Sequence, residues 1–212
     1  VPEGTKGRKV DRVAIIGAGT MGGGIAMSFA NAGIPVTLIE TAEEQLKRGM
    51  GVMQKNWEAT AARGGIPADA PAKRMALING VVGIENVGDA DLVIEAVFEE
   101  LEVKRTVFRE LEGIVREDAI LMTNTSSLSV AAMAEVLERP ERLVGFHFFN
   151  PVAVMPLVEI VRTEATTDEV VATAFELTRR LRKTGVLVHD ATAFVVNRVL
   201  LRMMGEVQAS FD

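Results

Sequence analysis

Two stretches of the chain carry residue types whose spacing suits redox chemistry. The first, Val13–Gly22, reads V-A-I-I-G-A-G-T-M-G, an apolar run followed at once by G-x-G-x-x-G, and Glu40 closes the next apolar run. In such a turn Gly17 permits the sharp reversal, Gly19 lets backbone approach a pyrophosphate, and Gly22 lets the following helix pack on the strand. Free N–H groups at that helix start, aided by its dipole, favour negative charge. Glu40 would accept hydrogen bonds from both ribose hydroxyls of NAD and repel the 2′-phosphate of NADP. Thr41 and Ala42 follow it, so no arginine stands there to receive that phosphate. NAD is the expected cofactor.

The second stretch is G-F-H-F-F-N-P around His147, one of two histidines in the chain. A histidine at the carboxyl end of a strand can take a hydroxyl proton while hydride leaves the same carbon. Asn150-Pro151 and Pro156 mark a tight loop, after which P-L-V-E-I-V sets Glu159 inside an apolar strand. A carboxylate there needs a partner, and His147 would supply one. Asn124-Thr125-Ser126-Ser127 follows another apolar run. Its polar groups would sit on the same rim, in reach of a substrate oxygen and a nicotinamide ribose, while Ser127 or Ser129 caps the next helix. Glu95, Glu99 and Lys104 follow a further run in I-E-A-V-F-E-E-L-E-V-K, and Glu100 and Glu102 suit a helix start. His189, beside Asp190, reads as structural.

These residues need a scaffold that brings them to one edge. Short apolar runs at Arg12–Ile16, Val36–Ile39, Val81–Ile84, Leu92–Glu95, Ile120–Thr123 and Leu143–Phe148 read as strands covered on both faces. Later strands are expected at Leu157–Val161 and Gly185–Val188, and helices at Gly23–Ala32, Leu101–Val115 and Asp168–Leu181. In the second of these helices Val103, Val107, Leu111 and Ile114 form one apolar stripe. The alternation predicts an α/β fold with a doubly wound, mostly parallel, Rossmann-like sheet, whose ligands bind beyond the carboxyl ends of the strands. Residues 41–79, between the second and third strands, are long enough for two helices and hold six basic against four acidic residues, a local net charge of +2. Such an arm suits a phosphate-rich substrate, or is an ordinary solvated surface.

The chain has 212 residues, a net charge of −6 and no cysteine. The charge argues against a nucleic-acid partner, and the missing cysteine removes disulfides and thiolate metal sites; no metal is expected. No apolar stretch is long enough to span a membrane, and no secretory signal opens the chain. The chain begins without Met, and its polar opening reads as a linker over residues 1–10.

Taken together, G-A-G-T-M-G-G-G-I-A, D-L-V-I-E-A-V-F-E-E-L-E-V-K, N-T-S-S-L, G-F-H-F-F-N-P and F-V-V-N-R resemble the L-3-hydroxyacyl-CoA dehydrogenase family, from about Val10 onward. The first motif is most similar to the dehydrogenase part of multifunctional fatty-acid oxidation proteins. The resemblance implies reversible oxidation of L-3-hydroxyacyl-CoA to 3-oxoacyl-CoA with NAD, in β-oxidation. It implies His147 as general base, Glu159 as its orienting carboxylate, and Ser126 and Asn197 as contacts to the substrate's 3-oxygen or to a catalytic water. It also implies a cofactor site lined by Met21, Glu40, Ala96, Val97, Phe98, Glu99, Lys104, Ser126 and Asn150. The basic arm falls where the family lays its CoA.

The family usually carries Pro-Gly before F-V-V-N-R, where this chain has Ala191, Thr192 and Ala193. It also continues into an all-helical domain. The expected organisation is therefore a linker over 1–10, an NAD-binding domain over 11–191 and the first helix of a helical domain over 192–212. That helix, read from Ala193, is apolar nearly all round, so it needs a second copy of this chain or a further helical domain to bury it. The expected partners are thus acyl-CoA and another copy or the rest of a larger multifunctional polypeptide. The location is cytoplasmic for a bacterial chain, or the mitochondrial matrix or peroxisome for a eukaryotic one. Two other readings stay open: a dehydrogenase of another small hydroxy acid or of 3-hydroxybutyryl-CoA, and a structural NAD-binding protein.

Overall fold

The computed structural model describes residues 3–210, so the ends of the expected linker and of the last helix (residues 1–2 and 211–212) lie outside it. Eight strands form one sheet: β1 (Val13–Ile16), β2 (Val36–Glu40), β3 (Ile78–Val82), β4 (Leu92–Glu95), β5 (Ile120–Thr123), β6 (Leu143–Phe148), β7 (Leu157–Arg162) and β8 (Thr184–His189). Their order is β3-β2-β1-β4-β5-β6-β7-β8. All neighbours are parallel except β6 and β7, which run antiparallel. The order reverses between β1 and β4, opening the crevice in which such sheets bind ligands. The helices are α1 (Thr20–Asn31), α2 (Glu43–Ala62), α3 (Ala70–Met75), α4 (Leu101–Ile114), α5 (Val130–Ala134), α6 (Asp168–Arg180) and α7 (Val196–Ala209).

Each face of the sheet has its own core. Ile15, Leu38 and Ile94 face α1, the arm and α6, while Ala14, Val93 and Leu121 face α4 and α5. Strands buried on both faces explain why they read as unbroken apolar runs. The insertion after β2 does form two helices, α2 and α3. Leu46, Met53 and Trp57 of α2 are buried, and the Trp57 indole donates to Asn31 Oδ1 at 3.1 Å, so the arm is fastened along α1.

Three boundaries and one buried face differ markedly from expectation. β3 spans Ile78–Val82 rather than Val81–Ile84, with a 3-10 turn at Ile84–Val87 after it. It is an edge strand, and Asn79 and Gly80 interrupt its apolar pattern. α1 starts at Thr20, because Gly19 is its extended N-cap and glycines hide a helix start from periodicity. In α4 the buried residues are Lys104, Phe108 and Leu111, whereas Ile114 is exposed. The apolar stripe is therefore rotated, and a lysine stands on its buried face. α7 begins at Val196, three residues later than expected.

Part of the segment assigned to a linker is held in place: Gly7 N–H donates to Glu176 Oε1 and Arg8 N–H to Thr173 Oγ1, both on α6, and Val10 is buried. Asp91 accepts the N–H groups of Asp11 and Arg12 and pairs with Arg116 at 2.9 Å. Burial pushes the Asp91 carboxyl up, but those donors outweigh it and hold its pKa below the usual carboxylate value. The stabilisation is therefore complete above about pH 4 and is lost as pH falls through the lower folded value. Asp91→Asn should cost about 1–2 kcal/mol at pH 7 and progressively less as pH falls below about 4, measured by urea unfolding across that range.

Candidate active site

The glycine turn is shaped as its spacing implies. Gly17 has φ 102, and a Cβ there would lie 2.8 Å from the Ala96 carbonyl oxygen; at Gly22 it would lie 1.8 Å from the Gly17 carbonyl oxygen. Nothing lies within 4 Å of the corresponding position at Gly19, which leaves open space in front of the first turn of α1. That space suits a pyrophosphate on the helix N-terminus. Glu40 Oε1 accepts the Ala18 N–H at 3.1 Å and Oε2 the Thr41 N–H at 2.8 Å, so this carboxylate also braces the turn. A groove runs from Gly19 and Glu40 past Arg48, Arg63 and Arg74 of the arm to Asn150. Met21 is half-buried beside the turn, and Phe98 is 85% exposed on the groove wall. Across the groove, Lys183 Nζ donates to the carbonyls of Val152 and Met155, pinning the loop that follows Asn150. Burial pushes the Lys183 amine below the usual lysine value.

His147 and Glu159 face each other across the antiparallel β6–β7 pair. Their side chains meet at 2.9 Å, His147 Nδ1 to Glu159 Oε2, with His147 5% and Glu159 1% exposed. A carboxylate only accepts, so Nδ1 carries the hydrogen and Nε2 is left with its lone pair. Phe149 and Phe194 cover the imidazole, with ring centroids 4.5 and 5.8 Å away.

The other Glu159 oxygen has a role that side-chain reasoning missed. Oε1 accepts the N–H groups of Val195 and Val196 at 3.0 and 2.9 Å, two of the orphan donors at the start of α7. Backbone donors leave no residue signature. One residue on, Asn197 Nδ2 donates to the Ser126 carbonyl at 3.1 Å. The role of Asp190 was also missed: it accepts the N–H groups of Val130 and Ala131 and the Ser129 hydroxyl, tying the turn before α7 to the start of α5. Ser129, not Ser127, caps α5, its hydroxyl accepting the Ala132 N–H.

Between these anchors Ala193 and Phe194 take φ 59 and 49. Left-handed backbone costs about 1–2 kcal/mol for a residue with a Cβ, which explains why a glycine suits position 193. Burial of the Phe194 ring against His147 offsets part of that cost. Ala193→Gly should stabilise the fold by up to about 1 kcal/mol, the relief exceeding the added unfolded-state entropy, read as a higher urea midpoint.

On the neighbouring rim, Ser126 is exposed, and Glu99 Oε1 accepts its N–H at 2.8 Å and the Thr125 hydroxyl at 2.9 Å. Ala96 and Val97 are half-buried at the end of β4. Lys104 does not line the groove. Its side chain is 1% exposed and turned inward, 2.6 Å from Glu95 Oε1. His189 is exposed at the end of β8. Among the described residues no cluster of side chains suits a metal ion, and no helix is long and apolar enough to cross a membrane.

Comparison with known proteins adds to this geometry. The family described as 3-hydroxyacyl-CoA dehydrogenase, NAD binding domain, matches residues 12–191. The fatty acid oxidation complex subunit alpha of Psychrobacter arcticus is 42% identical over 200 residues, covering 94% of this chain and 28% of the relative. The chain thus spans less than a third of that relative's length. Among solved structures, M. tuberculosis FadB2 superposes with a TM-score of 0.91 at 37% identity, covering 97% of this chain and 74% of the other. The 3-hydroxybutyryl-CoA dehydrogenase of Escherichia coli gives 0.88 at 41% identity, covering 91% and 41%.

Proposed function

The chain belongs to the 3-hydroxyacyl-CoA dehydrogenase family through its NAD-binding domain, and from that premise we propose that it oxidises L-3-hydroxyacyl-CoA to 3-oxoacyl-CoA, reversibly, in fatty-acid β-oxidation. NAD is its cofactor, and the open space above Gly19 and the Glu40 carboxylate fit that group. The cofactor supplies the hydride acceptor.

The chain's own residues handle the proton. His147 Nε2 takes it from the substrate hydroxyl, while Glu159 holds Nδ1–H and so fixes ring and tautomer. Ser126 and Asn197 orient the 3-oxygen, the second held by its own bond to the Ser126 carbonyl. Gly17, Gly19 and Gly22 form the pyrophosphate turn. Met21, Ala96, Val97 and Glu99 are assigned to the dinucleotide site with Glu40, Phe98 and Asn150 of the groove, where Arg48, Arg63 and Arg74 offer the substrate's phosphates a charged wall. The observation that carries the reading is the buried His147–Glu159 pair at the carboxyl-end rim, which holds Nδ1–H and leaves Nε2 to accept a proton.

We assign residues 11–191 to the NAD-binding domain, with residues 7–10 packed against it. α7 turns Val199, Leu201, Met203 and Met204 to solvent and buries none of its residues. We assign that face to a second copy or a further helical domain of a larger polypeptide. The relatives named above are bacterial, and on that ground a cytoplasmic location is proposed.

The test is loss of NADH absorbance on adding acetoacetyl-CoA to the full native polypeptide. Loss with acetoacetyl-CoA and none with free acetoacetate supports the reading; the reverse points to a free hydroxy acid. Glu40→Ala should weaken NAD binding by about 1–2 kcal/mol and narrow its advantage over NADP, by calorimetry. Equal affinities in the unaltered protein would refute the cofactor choice.

A further inference from the structure

Behind the groove lies a polar chain whose buried members, Glu95 and Lys104, have no part in the proposed reaction. Glu95, at the end of β4, is 0% exposed and accepts three donors: Lys104 Nζ at 2.6 Å and the Val97 N–H at 2.8 Å on Oε1, and the Thr123 hydroxyl at 2.7 Å on Oε2. Lys104 arrives from the first turn of α4, whose side chains lean toward the helix N-terminus and so toward the strand end. Its ammonium also reaches the Val97 carbonyl at 3.5 Å and Glu99 Oε2 at 3.4 Å. Glu99 in turn grips the β5 rim with its other oxygen, through the Ser126 N–H, the Ser126 hydroxyl at 3.4 Å and the Thr125 hydroxyl. Every member of the chain is satisfied, which is the condition under which a buried polar network fixes one geometry.

We propose that Glu95 and Lys104 are positioning residues: together they hold Glu99, and through it they fix the Ser126 loop at the reacting oxygen. The argument rests on the assignment of Ser126 as a substrate contact. The Lys104 side chain is 1% exposed and its ammonium is turned to Glu95 and Glu99, so Glu99 links it to the Ser126 loop. Glu99 is 38% exposed, and without a cation behind it water would compete for its carboxylate. The Ser126 N–H would then lose a fixed acceptor. Leu128 N–H would loosen with it, because it donates to the Thr125 hydroxyl that Glu99 also holds. Glu95 anchors the arrangement: the Val97 turn and the Lys104 ammonium both converge on its Oε1.

The test is the double variant Glu95→Gln/Lys104→Met. The glutamine still offers an acceptor to the Val97 N–H, and the buried charge pair leaves together, so no lone charge is left in the core. Three readouts apply to the full native polypeptide. Amide hydrogen exchange at Ser126 and Leu128 should rise at least tenfold while β4 and β5 stay protected. NADH affinity by calorimetry should fall by no more than about tenfold. Turnover of acetoacetyl-CoA should fall about 10–100-fold, in kcat more than in KM.

Unchanged exchange at Ser126 and Leu128 overturns the proposal, as does unchanged turnover in a protein that turns acetoacetyl-CoA over. Loss of NADH affinity beyond tenfold also overturns it, since that marks Lys104 as a cofactor contact. If the unaltered protein never consumes NADH with acetoacetyl-CoA, the functional reading fails, and the exchange result still decides the positioning role. Lys104→Gln, which keeps a donor for Glu95 but no cation for Glu99, gives the same readouts if the double variant does not fold.

Discussion

Replacing His147 with glutamine is expected to lower turnover of L-3-hydroxyacyl-CoA about 10²–10⁴-fold, the usual contribution of a positioned general base. That corresponds to roughly 3–5 kcal/mol of barrier. The affinity for NAD should stay near normal, because the groove from Gly19 to Asn150 does not include His147. Glutamine fills much of the same volume and can still donate to Glu159, so the packing of Phe149 and Phe194 has little reason to change. Steady-state rates and calorimetry on the full native polypeptide check the two halves. A variant that turns over near the normal rate would make His147 a packed core residue and remove the proposed mechanism.

The second large effect separates the two oxygens of Glu159. Glu159→Gln keeps an acceptor for the Val195 and Val196 N–H groups, but it turns an amide NH2 toward His147 Nδ1. Nδ1 must then accept, the ring hydrogen moves to Nε2, and the base is blocked. Turnover should fall about 10²–10⁴-fold with stability nearly intact, as expected when a histidine is held in the wrong tautomer. Glu159→Leu should fail differently. It leaves two backbone donors and an imidazole N–H buried without acceptors, which costs about 3–5 kcal/mol in unfolding free energy and frees the start of α7. Equal stability losses in the two variants, measured by urea unfolding, would show that the Glu159 oxygens do not divide the work in this way.

The parts of this fold legible in the sequence are those in which one local rule decides. Parallel strands buried on both faces read as apolar runs, so β1, β4, β5 and β6 fell within a residue of expectation. The glycine turn read correctly because Gly17 and Gly22 leave no room for a Cβ. β3 was misplaced because an edge strand with Asn79 and Gly80 has little apolar pattern to show. The start of α7 was misplaced because Ala193 and Phe194 continue the apolar run while their backbone turns left-handed. At the candidate site, His147 and Glu159 could be paired from their strands. The inward turn of Lys104 could not be foreseen, because a lysine in the first turn of a helix usually points to water. The second duty of Glu159 and the hold of Asp190 on α5 depend on backbone N–H groups distant in sequence.

Hydride transfer from C3 of an acyl-CoA to NAD is the reaction proposed for this domain. The most direct measurement uses L-3-hydroxybutyryl-CoA carrying deuterium at C3, mixed with NAD and the full native polypeptide, with the reduced cofactor analysed by mass spectrometry. One deuterium is expected in each NADH formed. NADH without deuterium, or no NADH from a protein that binds NAD, would contradict it.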